Sequence, residues 1–245
     1  MGKLGFKMYD EKINFSIEPI FKPSETVYNE FVRIEAQCDI DRGLKVDDFV
    51  KNAIRSDHRK EWKEENNHFA FAAYHNEQML GFVTGFMQSK NMYLSHLYID
   101  PMYQDFGIGS ELLKTAENSA SIITRHIELF PEYNAVDFYE KHEYKNFKNV
   151  VMVKQLSESI RGVVPVFQWH ENLQAKLNFK IETSEWNKQY KYQPIFVYVN
   201  KEYKIDGVGI RLPNGEAMVK LNDRIDSQIL KYRKLDLLYE LDKFR

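Results

Sequence analysis

The chain has 245 residues, 43% of them hydrophobic and 29% charged, with a formal net charge of −2. That is enough apolar material for one large domain or two small ones. The near-neutral balance counts against a protein that grips nucleic acid by charge, and no run approaches the eighteen or so apolar residues of a membrane span.

The opening residues carry charges but no apolar signal-peptide core, and Phe6 stands where an N-myristoylation signal wants Ser or Thr. The only cysteine, Cys38, excludes an intramolecular disulfide and a cysteine-based zinc cluster. Its place near the end of an apolar helical face suggests a buried structural thiol, and a cytoplasmic protein is expected.

Residues 13–20 alternate as a strand. Ser24 is a plausible N-cap for a helix whose apolar face is Val27, Phe31, Ile34 and Cys38, broken at "DIDRGL". Helical spacing resumes over 45–67. Three strands follow, 68–75, 79–88 and 92–100, the first two joined by a tight link at 76–78. A helix over 109–120, a strand over 123–130, a short helix over 134–142 and a strand over 144–156 come next. This order predicts an α/β domain with a mixed, mostly antiparallel sheet flanked by helices.

From Ser157 the pattern changes. Strands are expected at "VVPVFQW", "PIFVYVNKEYKI", "GVGIRL" and "AMVKL", with a Pro213-Asn214-Gly215 turn, then a terminal helix over 226–244. We read two domains, 1–156 and a smaller α+β unit, 157–245. The latter is rich in aromatics, including Trp169, Trp186, Tyr190, Tyr192 and Tyr198.

The stretch "MYQDFGIGSELL" (102–113) places two glycines between a strand and a helix. Such a junction leaves amide N–H groups and a positive dipole end for an anion, most naturally phosphate. The ATP-type loop fails for want of its Lys, and the dinucleotide fingerprint fails because Leu112 stands at the third glycine position. What remains is Gln104-Asp-Phe-Gly107-Ile-Gly109.

With its surroundings, "LSHLYIDPMYQDFGIGSELLKTAENSA" resembles the acyl-CoA-binding core of the GNAT family of N-acetyltransferases. The segment "HIELFPEYNAVDFYEKHEYKNFK" and the hairpin with Gly81 are similar to the family's neighbouring elements, so the likeness spans about residues 14–155. The resemblance implies that acetyl-CoA enters between the central strand and the next. Main-chain groups of Leu97, Tyr98 and Ile99 would pair with the pantetheine arm. Amides of Gln104, Asp105, Phe106, Gly107, Ile108, Gly109 and Ser110 would hold the pyrophosphate, and Asn134 and Tyr139 would also bind the cofactor. Gln104 replaces the commoner Arg, and Glu143 replaces a usual Gly.

By the same resemblance Tyr139 is the acid that protonates the departing thiolate, and a main-chain N–H near Tyr98 polarises the carbonyl. His96, expected on the strand face opposite Ser95 and Leu97, and Glu128 are candidate bases, and a water chain is the alternative. Asp39 and Asp41 would attract a cationic acceptor. His142 and His170 offer no pair spacing, so no metal is expected. The function expected is an acetyl-CoA-dependent N-acetyltransferase acting on a small-molecule or peptide amine, with no membrane or nucleic-acid partner and with homodimerisation open. A nucleic-acid-directed acetyltransferase and a non-catalytic acyl-CoA sensor stand as alternatives.

Overall fold

The computed structural model describes residues 13–63, 67–88, 91–147, 151–156, 161–166, 177, 193–222 and 224–244. Among them no helix is long and apolar enough to cross a membrane. The N-terminal part runs β1 (Ser16–Pro19), α1 (Glu25–Asp41), α2 (Asp48–Lys63), β2 (Asn67–His75), β3 (Gln78–Gln88), β4 (Asn91–Ile99), α3 (Ile108–Ser121), β5 (His126–Leu129), α4 (Val136–Lys141), β6 (Lys145–Phe147) and β7 (Val151–Gln155). Its strands form one sheet in the order β1-β2-β3-β4-β5-β7-β6. Every pairing is antiparallel except β4 with β5.

Both faces of this sheet are covered, which explains why "FAFAA" in β2 reads as a continuous apolar run. Phe69 and Phe71 join Leu112, Leu113 and Ala116 of α3 on one face. Ala70 and Ala72 meet Phe31 and Ile34 of α1 on the other, where Phe82 stacks on Phe31 at 4.3 Å between ring centres. The β2–β3 link is a two-residue turn in which Asn76 and Glu77 both take positive φ, 48° and 67°, as a tight hairpin requires.

A second sheet, β11-β10-β9-β8, is built from β8 (Gly162–Val166), β9 (Ile195–Val199), β10 (Ile205–Arg211) and β11 (Ala217–Leu221). The helix α5 (Ser227–Asp242) covers it through Leu237 and Leu241. Ile122 and Ile123, just past α3, lie in this sheet's core beside Val164, Val166 and Val197. The Ser119 hydroxyl donates to the Pro165 carbonyl at 3.0 Å. Phe21 meets Phe196 and Phe244 edge-on, so the two sheets also touch near β1.

Four elements differ from the sequence expectation. First, α1 continues through the supposed break to Asp41 and stops at Arg42 and Gly43, the latter at φ +84°. Second, the strand expected over 123–130 begins only at His126, because Ile122 and Ile123 are drawn into the second core. Third, the one strand expected over 144–156 is instead two, β6 and β7, paired antiparallel. Fourth, "PIFVYVNKEYKI" folds back at Asn200, whose side-chain oxygen accepts from the N–H groups of Glu202 and Lys204 at 2.8 and 3.0 Å. Of the aromatics noted above, Tyr198 is half-buried beneath the Arg233 guanidinium, 5.1 Å away. Trp169, His170, Trp186, Tyr190 and Tyr192 lie outside the described residues.

Glu143 ends α4 with φ +70°, the left-handed conformation that explains why glycine suits this position. Its carboxylate is 85% exposed and 3.9 Å from Lys154, too loose a pair to offset the strain. Glu143→Gly is therefore expected to raise stability by about 0.5–1 kcal/mol in urea denaturation. A loss of stability would contradict this account.

Candidate active site

The site begins with the register of β4. Thr84 pairs with His96, but the next residue of β3, Gly85, pairs with Leu94, so Ser95 is an extra residue in β4. Such a bulge bends the strand and resets which residues share a face. Met92 and Leu94 before it, and Leu97 and Ile99 after it, pack on the same core beside α3. His96 and Tyr98 instead face α1 and α2, with His96 4.8 Å from the His58 ring and Tyr98 5.8 Å from Phe82. The parallel pairing with β5 covers only Met92–Leu94. From His96 to Ile99, β4 keeps its β3 partner but has none on the β5 side among the described residues.

Close approach of β4 to β3 explains two glycines. A Cβ at Gly85 would fall 2.2 Å from the Tyr93 carbonyl, and one at Gly81 2.8 Å from the Tyr98 carbonyl.

Asp100 terminates β4. Its carboxylate accepts from Arg33 at 2.6 Å and from the Met102 N–H at 3.1 Å, while Arg33 also donates to the Met79 carbonyl at 2.8 Å. Pro101–Tyr103 then makes a 3-10 turn, and the Gln104 amide donates back to the Ile99 carbonyl at 3.2 Å. Asp105 and Gly107 take positive φ, 72° and 80°. Gly107 is the N-cap of α3, and no side chain caps the helix. Ile108, Leu112 and Leu113 anchor α3 in the core, so its first-turn amides are held in place facing the loop. A Cβ at Gly109 would make only ordinary contacts, 3.6 Å to Ile99 and 3.7 Å to Phe138, so internal packing does not demand that glycine.

These pieces enclose a cleft of about 680 Å³. One wall is β4 from Ser95 to Ile99, the loop, and the first turn of α3. Asn134, Phe138 and Tyr139 form another, and Cys38, Asp41 and Arg42 at the end of α1 face them with Glu132. Tyr139 is 8% exposed, and burial, reinforced by the Glu132 charge, pushes its pKa up to about 12. Burial also raises Tyr98, an effect that Arg42 partly offsets. Arg42 is ion-paired with both Glu132 and Asp39.

Of the residues singled out from the sequence, Glu128, Asp39 and Phe106 do not line the cleft. Ile127 and Leu129 take the core face of β5, which turns Glu128 to the other side, where Asn91 donates to it. Asp39 sits in the last turn of α1 with its carboxylate on Arg42. Phe106 is 44% exposed at the loop tip. His96 does line the cleft, but its Nε2 lies 3.0 Å from Glu61 of α2. Burial opposes its charged form, yet the hydrogen bond and charge of Glu61 outweigh burial and raise its pKa. Sequence reasoning missed Arg42, Glu132 and Glu61; their partners lie 35 or more residues away, apart from the Arg42–Asp39 pair.

Residues 38–157 match the family model described as "Acetyltransferase (GNAT) domain". No curated protein matches the chain. Among solved structures, a protein from Pyrococcus horikoshii is similar at 20% identity and a TM-score of 0.50, covering 59% of this chain and 99% of its own. A protein from Desulfovibrio desulfuricans assigned to the GNAT family is 9% identical at a TM-score of 0.50, covering 59% of this chain and all of its own (100%). The PaiA N-acetyltransferase of Thermoplasma acidophilum, in complex with coenzyme A, is 21% identical at a TM-score of 0.47, covering 57% and 99%. At 20% and 9% identity, the likeness to the first two is one of fold.

The Cys38 thiol donates to the Ile99 carbonyl at 3.2 Å, and burial above all pushes its pKa up to about 11. At pH 8 its thiolate fraction falls to roughly a hundredth of that of an ordinary thiol. Modification of the folded protein by a disulfide reagent should be slower by about that factor. A rate equal to that of free cysteine would contradict the placement.

Proposed function

Residues 38–157 form an acetyltransferase domain of the GNAT family, and from that premise we propose that the protein moves an acetyl group from acetyl-CoA to a primary amine by direct transfer. The observation that carries the reading is the junction of a half-unpaired β4 with an uncapped α3 behind Gly107. An extended chain suits the free strand edge, where the main-chain groups of Leu97 and Ile99 point outward while those of Tyr98 between them face β3. A diphosphate suits the amides from Gln104 to Ser110, where the dipole end of α3 lies and where neither glycine brings a side chain forward. Acetyl-CoA, the standard cofactor of this family, supplies the activated acyl group when bound.

This chain's residues position the reactants and manage one proton. The bulge at Ser95 precedes the open strand edge, where alternation from the Asp100–Leu80 bond turns the Tyr98 N–H toward β3 and leaves the Leu97 N–H as the donor we assign to the carbonyl oxygen. Asn134 and Tyr139 border the thioester end. A Tyr139 pKa of about 12 keeps the phenol protonated through neutral and alkaline pH, as an acid must be. Such a phenol is a weaker acid than a free one, but the same buried surroundings raise a thiol in parallel, so the transfer stays near balance.

Among the described residues no unpaired carboxylate stands beside Tyr139 as a dedicated base, since Glu128 faces elsewhere and Glu132 is paired with Arg42. We assign amine deprotonation to solvent. Asp41 and Glu132 outnumber Arg42 where the end of α1 lines the cleft, which favours a cationic acceptor. No described residue beyond 156 lines the cleft. We therefore read 157–245 as a unit that supports α3 from its far end.

Calorimetry of the full chain should show binding of both CoA and acetyl-CoA, and an amine panel should release CoA with cationic acceptors preferred. Absence of binding to either coenzyme would overturn the proposal. Gly107→Ala, which places a Cβ at φ +80° and forces the loop to relax, should weaken CoA binding about tenfold.

Tyr139→Phe should lower kcat by about a hundredfold with CoA affinity unchanged. The sign of the pH effect follows from the raised pKa: the required protonated form persists as pH rises and is lost only near 12. The wild-type kcat profile should therefore show no descending limb at pH 10, where an ordinary phenol would already titrate. A limb there, or full turnover in the Phe variant, would remove Tyr139 from the role.

A further inference from the structure

Behind β4, between the sheet and α2, lies a group of side chains that acetyl transfer does not use. His58 is 1% exposed, and its Nε2 lies 2.9 Å from the Glu35 carboxylate. Its other nitrogen, Nδ1, is buried with no hydrogen-bond partner among the described residues. Glu61 follows His58 by one helical turn, so both share a face of α2. One Glu61 oxygen meets His96 Nε2 at 3.0 Å, while the other is buried with no hydrogen-bond partner among the described residues. One potential ligand atom from each of His58, Glu61 and His96 lies within 4.8 Å of the others.

The chemistry of the orphaned atoms indicates what they need. A neutral imidazole that donates its Nε2–H to Glu35 carries a lone pair on Nδ1. The second Glu61 oxygen is an acceptor as well. Two buried acceptors cannot satisfy each other, but a cation satisfies both. Glu35 and Asp57 add negative charge around His96, and no Lys or Arg acts on Glu61 or His96 among their main electrostatic partners.

Two imidazoles and one carboxylate suit zinc, which takes three protein ligands and a fourth open position. Calcium and magnesium prefer oxygen throughout. Glu35 then acts as the outer carboxylate that fixes the tautomer and orientation of a ligating His. Ligand atoms around tetrahedral zinc sit roughly 3.4 Å apart, so the group must close by roughly 1.5 Å, a distance within reach of side-chain rotation at Glu61.

We propose that His58, Glu61 and His96 form a binding site for one divalent transition-metal cation, zinc by ligand chemistry. The site goes beyond the acetyl-transfer reading, and its test needs neither acetyl-CoA nor turnover.

The full chain is stripped with EDTA, exchanged into metal-free buffer and titrated with Co²⁺ as a spectroscopic probe. One equivalent per chain should produce the visible absorption of four-coordinate Co²⁺, and equimolar Zn²⁺ should bleach it. Zn²⁺ should raise the melting temperature of the wild type. Glu61→Gln and His96→Gln should each abolish the band, and Glu35→Gln should weaken Zn²⁺ binding about tenfold. His126→Gln, at an exposed strand end, should change nothing.

Absence of the Co²⁺ band in the folded wild type overturns the proposal, whatever the variants do. So does a band that persists at wild-type affinity in folded Glu61→Gln and His96→Gln, which would mark adventitious binding. Circular dichroism checks folding, and the wild-type titration decides the matter if a variant fails to fold.

Discussion

Antiparallel strands keep a fixed alternation of faces only while residues pair one to one. At Ser95 that condition fails, and the failure organises the rest of the site. Without the extra residue, Leu97 and Ile99 would point toward α1 and α2, and His96 and Tyr98 would be driven into the apolar core with α3. The bulge lets a hydrophobic strand bury Met92, Leu94, Leu97 and Ile99 on one side while sending His96 and Tyr98 to the other. It also bends β4 at the point where its pairing with β5 ends. The open strand edge and the cleft beside it are thus consequences of one local change in register.

The loop that follows is held at both ends. Asp100 is nearly buried, and two donors, Arg33 from α1 and the Met102 N–H, fix its carboxylate. At the other end, Ile108 locks the first turn of α3 into the core. Between these anchors the left-handed Asp105 and Gly107 turn the chain without any side chain capping the helix. Charge is arranged with similar economy at the outer wall, where Arg42 joins the end of α1 to Glu132 before α4. The cleft therefore rests on residues from four separate parts of the chain, each fixed by burial or by an ion pair.

Much of this was legible in the sequence. The hairpin of β2 and β3, the glycine loop and α3 stand out because apolar spacing and turn residues agree there. Glu143 was visible as a departure, and its φ of +70° supplies the reason. The bulge was not legible: nothing in "LSHLY" marks Ser95, and register exists only once strands pair. Glu128 was misjudged because a four-residue strand shows too little alternation to assign a face. Asp39 and Asp41 were placed in a loop because their acidity masked the end of α1. Asn200 carries a turn signal with Lys201 and Glu202, but the apolar run before it and Tyr203 and Ile205 after it read as one strand. The group of His58, Glu61 and His96 escaped because histidine spacing was sought along the chain, whereas α2 and β4 bring these residues together across 35 positions.

The helix α3 is held at both ends. Its first turn lies at the cleft, while Ser119, Ile122 and Ile123 at its other end are embedded in the β8–β10 layer. One helix thereby belongs to two cores, like a beam let into two walls. Cutting the chain after residue 156 would leave two isoleucines exposed to water and the beam supported at one end only. Loosening there would be felt at the opposite tip, where the amides face the glycine loop.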